Sequence, residues 1–170
     1  MKRELLIGCG SNWEKRMTCD GTQDWSNLST LDNNKDHNPN YVIDLSFLPY
    51  PLADNLFDEI HAYEVLEHTG AQGDYKFFFR QFEEFWRILK PGGHLLATCP
   101  SRHSVWAWGD PSHTRIVQAE QLIFLSQKIY EEQVGKTPMS DFRYMYKADF
   151  EIIYASDNKE TVEFIIKAIK

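Results

Sequence analysis

The chain has 170 residues, of which 42% are hydrophobic and 14% aromatic, and its formal net charge is −7. That length suits one domain with one core, here residues 1–170, and the composition excludes wholesale disorder. No apolar run approaches the roughly 18–20 residues needed to span a bilayer, and no basic cluster exceeds two residues, as at Lys15-Arg16, so neither a membrane nor the phosphate backbone of a nucleic acid is an expected partner.

In chain order, Glu4 to Ile7 reads as a first strand, closed by the turn Gly8-Cys9-Gly10. A short helix is predicted over 12–17. Asn27 to Leu31 is a second strand closed by Asp32, and Tyr41 to Ile43 a third closed by Asp44. Pro49 and Pro51 keep the next segment a loop. Phe57 to Ala62 is a fourth strand, followed by Tyr63-Glu64. Asp74 is the predicted N-cap of a helix reaching about Leu89, with Phe78, Phe82, Phe85 and Leu89 on one face. Pro91-Gly92-Gly93 stops it, and His94 to Cys99 is a fifth strand. A polar loop with two tryptophans runs from Ser101 to Arg115, and a single helix is expected over 119–132. Two β-rich runs, Phe150 to Ala155 and Thr161 to Ile169, read as an antiparallel hairpin. The alternation predicts an α/β fold whose sheet is mostly parallel.

Three cysteines without regular spacing argue against a disulfide framework and against a common structural zinc site. The N-terminus lacks the apolar stretch of a secretion signal, so the expected compartment is the cytoplasm.

In open α/β sheets, ligands bind beyond the carboxyl ends of the strands. Glycines at Gly8 and Gly10 let a ligand approach the backbone closely. A carboxylate at Asp32 can accept both hydroxyls of a ribose. Asp44 can accept the exocyclic amine of adenine while Leu45 packs on the ring. Together these describe a nucleoside site without a phosphate clamp.

The blocks Leu5-Leu6-Ile7-Gly8-Cys9-Gly10, Leu31-Asp32, Asp44-Leu45, Phe57-Asp58-Glu59-Ile60, Val65-Leu66-Glu67-His68 and Ile88-Leu89-Lys90-Pro91-Gly92-Gly93 resemble, in order and spacing, the class I methyltransferases that use S-adenosylmethionine (SAM). The likeness covers about residues 4–100 and is nearest to small bacterial and phage members. It implies a Rossmann-like sheet ending in a reversed strand pair and SAM as cofactor. It also implies that Gly8, Cys9 and Gly10 face the methionine part, Asp32 the ribose, Asp44 and Leu45 the adenine, and that Glu64 lies near the sulfonium. Two departures stand out: Leu6 occupies the place of the first motif's usual acidic residue, and Asn12 that of its third glycine.

The methyl acceptor is not identified by any motif. Glu67, His103, Trp106 and Trp108 are the candidate acceptor-pocket residues. His68, His113 and Asp110, in falling order, are candidates for the base that takes the acceptor's proton. Each has a plain structural alternative: Glu67 and His68 as a cap or surface pair, and the two tryptophans as buried pins of the loop. His61, inside a central strand, reads as a hydrogen-bonded core histidine. No metal is expected, because the spacing of these acids and histidines matches no known ligand motif. The rivals to catalysis are a non-catalytic SAM- or nucleoside-binding module and an interaction protein that keeps the fold. No lid is evident, so the cleft is expected to be open or closed by a second copy in a homodimer.

Overall fold

A computed structural model describes residues Met1–Lys170. Seven strands form one sheet: β1 (Arg3–Ile7), β2 (Asn27–Asp32), β3 (Tyr41–Val42), β4 (Phe57–Tyr63), β5 (Leu89–Pro100), β6 (Phe150–Asp157) and β7 (Thr161–Ala168). Their spatial order is β3-β2-β1-β4-β5-β7-β6. The first five run parallel, and β7 pairs antiparallel with both β5 and β6. The three helices are α1 (Tyr75–Ile88), α2 (Trp106–Gly109) and α3 (Gln127–Gln133). No helix is long and apolar enough to cross a membrane.

Helix α1 starts where Asp74 accepts a hydrogen bond from the Phe77 amide at 3.0 Å, the expected cap. Its buried face carries Phe79, Phe82, Phe85 and Ile88, whereas the expected Phe78 is only half-buried and Leu89 already belongs to β5. These pack on Leu5, Ile7, Ile60, Leu95, Ala97 and Phe164 from one side of the sheet. Each fully buried phenylalanine contributes about 1.5–3 kcal/mol of hydrophobic free energy, so this layer dominates the core.

The other side of the sheet is covered differently. No helix forms over 12–17; residues 11–26 are a coil. Side chains intercept the backbone groups a helix would use. Asn12 accepts from the Glu14 amide, and the Tyr63 hydroxyl accepts from the Met17 amide at 3.1 Å. The Trp25 indole donates to the Trp13 carbonyl at 2.6 Å. Lys15 turns inward and meets Glu4 at 2.6 Å, with both side chains almost fully buried. His61 is the expected core histidine, bonded to the Tyr63 hydroxyl at 2.7 Å and Glu59 at 3.1 Å.

The helix expected over 119–132 is also broken. A 3-10 segment, Ala119–Leu125, gives way at Ser126, whose extended backbone and hydroxyl cap α3. Serine at that position serves the N-terminus of a new helix better than the interior of an old one.

Candidate functional site

Four strands deliver their C-terminal residues to one cleft of about 420 Å³, within the roughly 300–1,000 Å³ range of small-molecule sites. Gly8 follows β1, Asp32 ends β2, Asp44 and Leu45 follow β3, and Glu64 follows β4; all five line the cleft. Glu64 adopts a left-handed backbone, with φ +52°. Its amide still reaches the Thr98 carbonyl at 2.9 Å, so the turn that aims it is anchored to β5. Three carboxylates in one cleft make an environment complementary to a cationic ligand.

Asp32 is nearly buried. Its Oδ2 accepts from the Gly10 amide and its Oδ1 from the Asn34 amide, each at 2.8 Å. Oδ2 also faces His37 Nδ1 at 3.3 Å, so Oδ1 keeps the freer lone pair for a ligand hydroxyl. Cys9 and Gly10 do not line the cleft. Cys9 is buried against Leu6 and Tyr63 behind it, and Gly10 acts through its amide on Asp32. Gly8 has φ +59°, and a Cβ placed there would lie 2.3 Å from Val65 Cγ2. The space next to Gly8 is thus taken by Val65 rather than reserved for a ligand.

A second cleft of about 320 Å³ adjoins the first and shares Glu64 and His68 with it. Glu67, Trp106, Asp110 and His113 line it. His103 and Trp108 do not. His103 points outward beside Arg102. Trp106 and Trp108 are 63% and 57% exposed, so neither is the buried pin of the structural alternative.

Glu67 and His68 belong to a short 3-10 turn, Leu66–His68, and Glu67 is 2% exposed. Neither carboxylate oxygen has a partner of hydrogen-bond geometry; the buried Cys99 thiol and Glu67's own amide are near the carboxyl without that geometry. Burial pushes the Glu67 carboxyl up to about 8. His113 Nε2 stands 3.9 Å from Glu67 Oε1, and the rings of His68 and His113 meet edge to face at 4.6 Å. Asp110, held below the usual carboxylate range by the Ser112 hydroxyl and amide, sits behind His68 through Ser112.

Arg115 is the residue that sequence reasoning missed. Its buried guanidinium donates to the Leu66 carbonyl at 2.9 Å, to Thr69 Oγ1 at 3.0 Å and to Gln81 Oε1. The amides of Thr114 and Arg115 both donate to the Glu67 carbonyl. These bonds clamp 110–115 onto 66–69 and bring His113 to Glu67. The signal in the sequence is the run Asp110-Pro111-Ser112-His113-Thr114-Arg115, whose partner segment lies more than forty residues earlier.

This strand order, with its acidic ligand-facing groups at the ends of successive parallel strands, defines a Rossmann-like sheet of the class I methyltransferase kind. A family model described as a methyltransferase domain matches residues 5–97, more than half of the chain. The chain belongs to that family, an enzyme family whose methyl donor is SAM. No curated protein sequence matches it. Among solved structures, a SAM-dependent methyltransferase from Archaeoglobus fulgidus superposes with a TM-score of 0.60 at 17% identity, covering 98% of this chain and 86% of that one. One from Methanosarcina mazei gives 0.58 at 16% identity, covering 99% and 92%. The N-methyltransferase NodS from Bradyrhizobium japonicum, solved with S-adenosyl-L-homocysteine, gives 0.53 at 17% identity, covering 99% and 79%. At these identities the likeness is one of fold.

Proposed function

We propose that residues 1–170 act as one methyltransferase domain that holds SAM in the first cleft and its acceptor in the second. The observation that carries this reading is the shared wall: Glu64 and His68 line both clefts, so ligands in the two would meet there. When bound, SAM supplies an activated methyl group on a sulfonium. The chain's task is then to align donor and acceptor and to exclude water.

Asp32 would accept the ribose hydroxyls, chiefly on Oδ1, since Oδ2 already faces the Gly10 amide and His37. Asp44 and Leu45 would hold the adenine, and Glu64 would face the positively charged methionine end. On the acceptor side, Trp106 offers a ring face and Asp110, Glu67 and His113 offer polar contacts. His68 remains the first choice of base, for a reason the tautomer supplies. The Ser112 hydroxyl donates its one proton to Asp110 Oδ1 at 2.5 Å, so it must accept from His68 Nδ1 at 3.0 Å. The lone pair of His68 is therefore on Nε2. The test is calorimetry with SAM, followed by mass spectrometry of a metabolite pool incubated with labelled SAM. Absence of SAM binding by the folded protein would falsify the reading. Binding without label transfer to any acceptor would favour a non-catalytic module.

A further inference from the structure

Three groups of acids, histidines and thiols stand close enough to share a cation: Glu4, Glu59 and His61; Cys19, Glu59 and His94; and Glu67, His68 and His113. The first two share Glu59, which is already neutralised. Lys2 contacts it at 2.8 Å and His61 at 3.1 Å, while Glu4 is taken by Lys15 and the Ser26 amide. The third group is different in kind. Glu67 is 2% exposed, carries two oxygens without a donor, and lines the second cleft.

The tautomers sharpen the contrast. His68 Nδ1 must donate to Ser112, as argued above. His113 Nδ1 faces the Ala107 carbonyl at 3.3 Å, and a carbonyl can only accept. Both rings therefore carry their lone pair on Nε2, and His113 Nε2 lies 3.9 Å from Glu67 Oε1 and also 3.9 Å from Asp110 Oδ2. Two imidazoles and a buried carboxyl whose oxygens have no hydrogen-bond partner meet here. Each of the three offers a ligand atom within 4.8 Å of the others. A bound cation near 2.1 Å from its ligands needs them closer than the 3.9 Å between His113 Nε2 and Glu67 Oε1, so uptake would draw the side chains together. The outer bonds are those of ligating histidines, which fix their far nitrogen on a carbonyl, a carboxylate or a relay to one. Here Ala107 serves His113, and the Ser112–Asp110 pair serves His68.

We propose that Glu67, His68 and His113 form a binding site for a divalent first-row transition cation at the floor of the second cleft. Two imidazoles and one carboxylate, with positions left open toward the cleft, suit zinc, iron or cobalt better than magnesium. On the methyltransferase reading, on which this part rests, the open positions favour an acceptor with an oxygen donor. A hydroxyl bound there would be acidified by the cation and release its proton to water at the cleft mouth; with its Nε2 on the cation, His68 would serve as a ligand and not as the base.

The test uses the full chain, freed of metal with a chelator and titrated with Co²⁺ by calorimetry and by visible absorption. One Co²⁺ per chain is expected, with ligand-field bands. Glu67→Gln, close to isosteric, and His113→Ala should each weaken binding by more than the roughly 10–100-fold that outer partners cost, and Ser112→Ala should fall in that outer range. Glu59→Gln should bind like the parent. Melting curves on every variant separate lost folding from lost ligands. No stoichiometric uptake by the folded parent, or equal uptake by Glu67→Gln, overturns the site. SAM calorimetry on the metal-free protein tests the methyltransferase reading separately, so either can fail without the other.

Discussion

Substituting alanine at Gly8 tests how the first turn is held. Two costs arise. A side chain at φ +59° carries the left-handed penalty of about 1–2 kcal/mol. The new methyl group would also lie 2.3 Å from Val65 Cγ2 and 2.7 Å from its Cβ, an overpacking that typically costs about 1–3 kcal/mol. Val65 is only half-buried and lines the first cleft, so it can swing into that cleft. The expected loss is therefore about 2–4 kcal/mol, which for a chain of this size lowers Tm by about 4–16 °C. Displaced Val65 also narrows the cleft, so SAM affinity should fall per folded molecule. The assay is a double-mutant cycle with Val65→Ala, read by urea denaturation and SAM calorimetry. The double variant should recover about 1–3 kcal/mol relative to the sum of the singles. Gly10→Ala, with nothing within 4 Å of its Cβ position, should show the backbone cost alone and no rescue. A coupling below about 0.5 kcal/mol between Gly8 and Val65 would refute the argument.

Asp32→Ala should weaken SAM by about ten- to a hundredfold and, because the carboxylate also fastens the Gly10 and Asn34 amides, lower stability by about 1.5–3 kcal/mol; unchanged SAM affinity by calorimetry removes the ribose assignment. Trp106→Ala and Trp108→Ala should each leave stability within about 1 kcal/mol, since both rings are exposed, and only the first should reduce turnover of the true acceptor. A Tm drop of ten degrees in either variant would mean the loop packs differently. Glu59 supplies a pH dependence: burial works against its ionisation, but His61 and Lys2 prevail and hold the carboxyl at about 2. A depressed carboxylate stabilises the fold above its unfolded value near 4.5 and loses that contribution as pH falls toward 2. The urea midpoint should drop across that window, and a Glu59→Gln variant with the same slope would show that other groups are responsible.

The sheet and its hairpin were legible because strand periodicity and turn residues are local. Helix α1 was legible for the same reason, through Asp74 and its phenylalanine face. The helix expected over 12–17 failed because distant groups, Tyr63 and Glu4, claim its amide and its lysine. The break at Ser126 depends on whether a serine caps or continues, a choice that packing makes. Of the site, Gly8, Asp32, Asp44, Leu45 and Glu64 could be found because each closes a strand. The meeting of Glu67 with His113 could not, since it is created by Arg115 bridging two loops.

The coil over 11–26 has a consequence for how the molecule opens. No main-chain to main-chain hydrogen bond holds residues 11–25; their anchors are side chains such as Lys15, Trp25 and Met17's partner Tyr63. Segments of this kind unlock at far lower free energy than the strands they cover. Amide protons there should exchange with solvent well before those of β1 or β4, which lie directly beneath. Gly10, at the head of the same segment, is tied to Asp32 in the first cleft. Each opening therefore loosens the cleft floor, and a ligand seated on Asp32 should slow exchange along the whole strap, including residues it never touches.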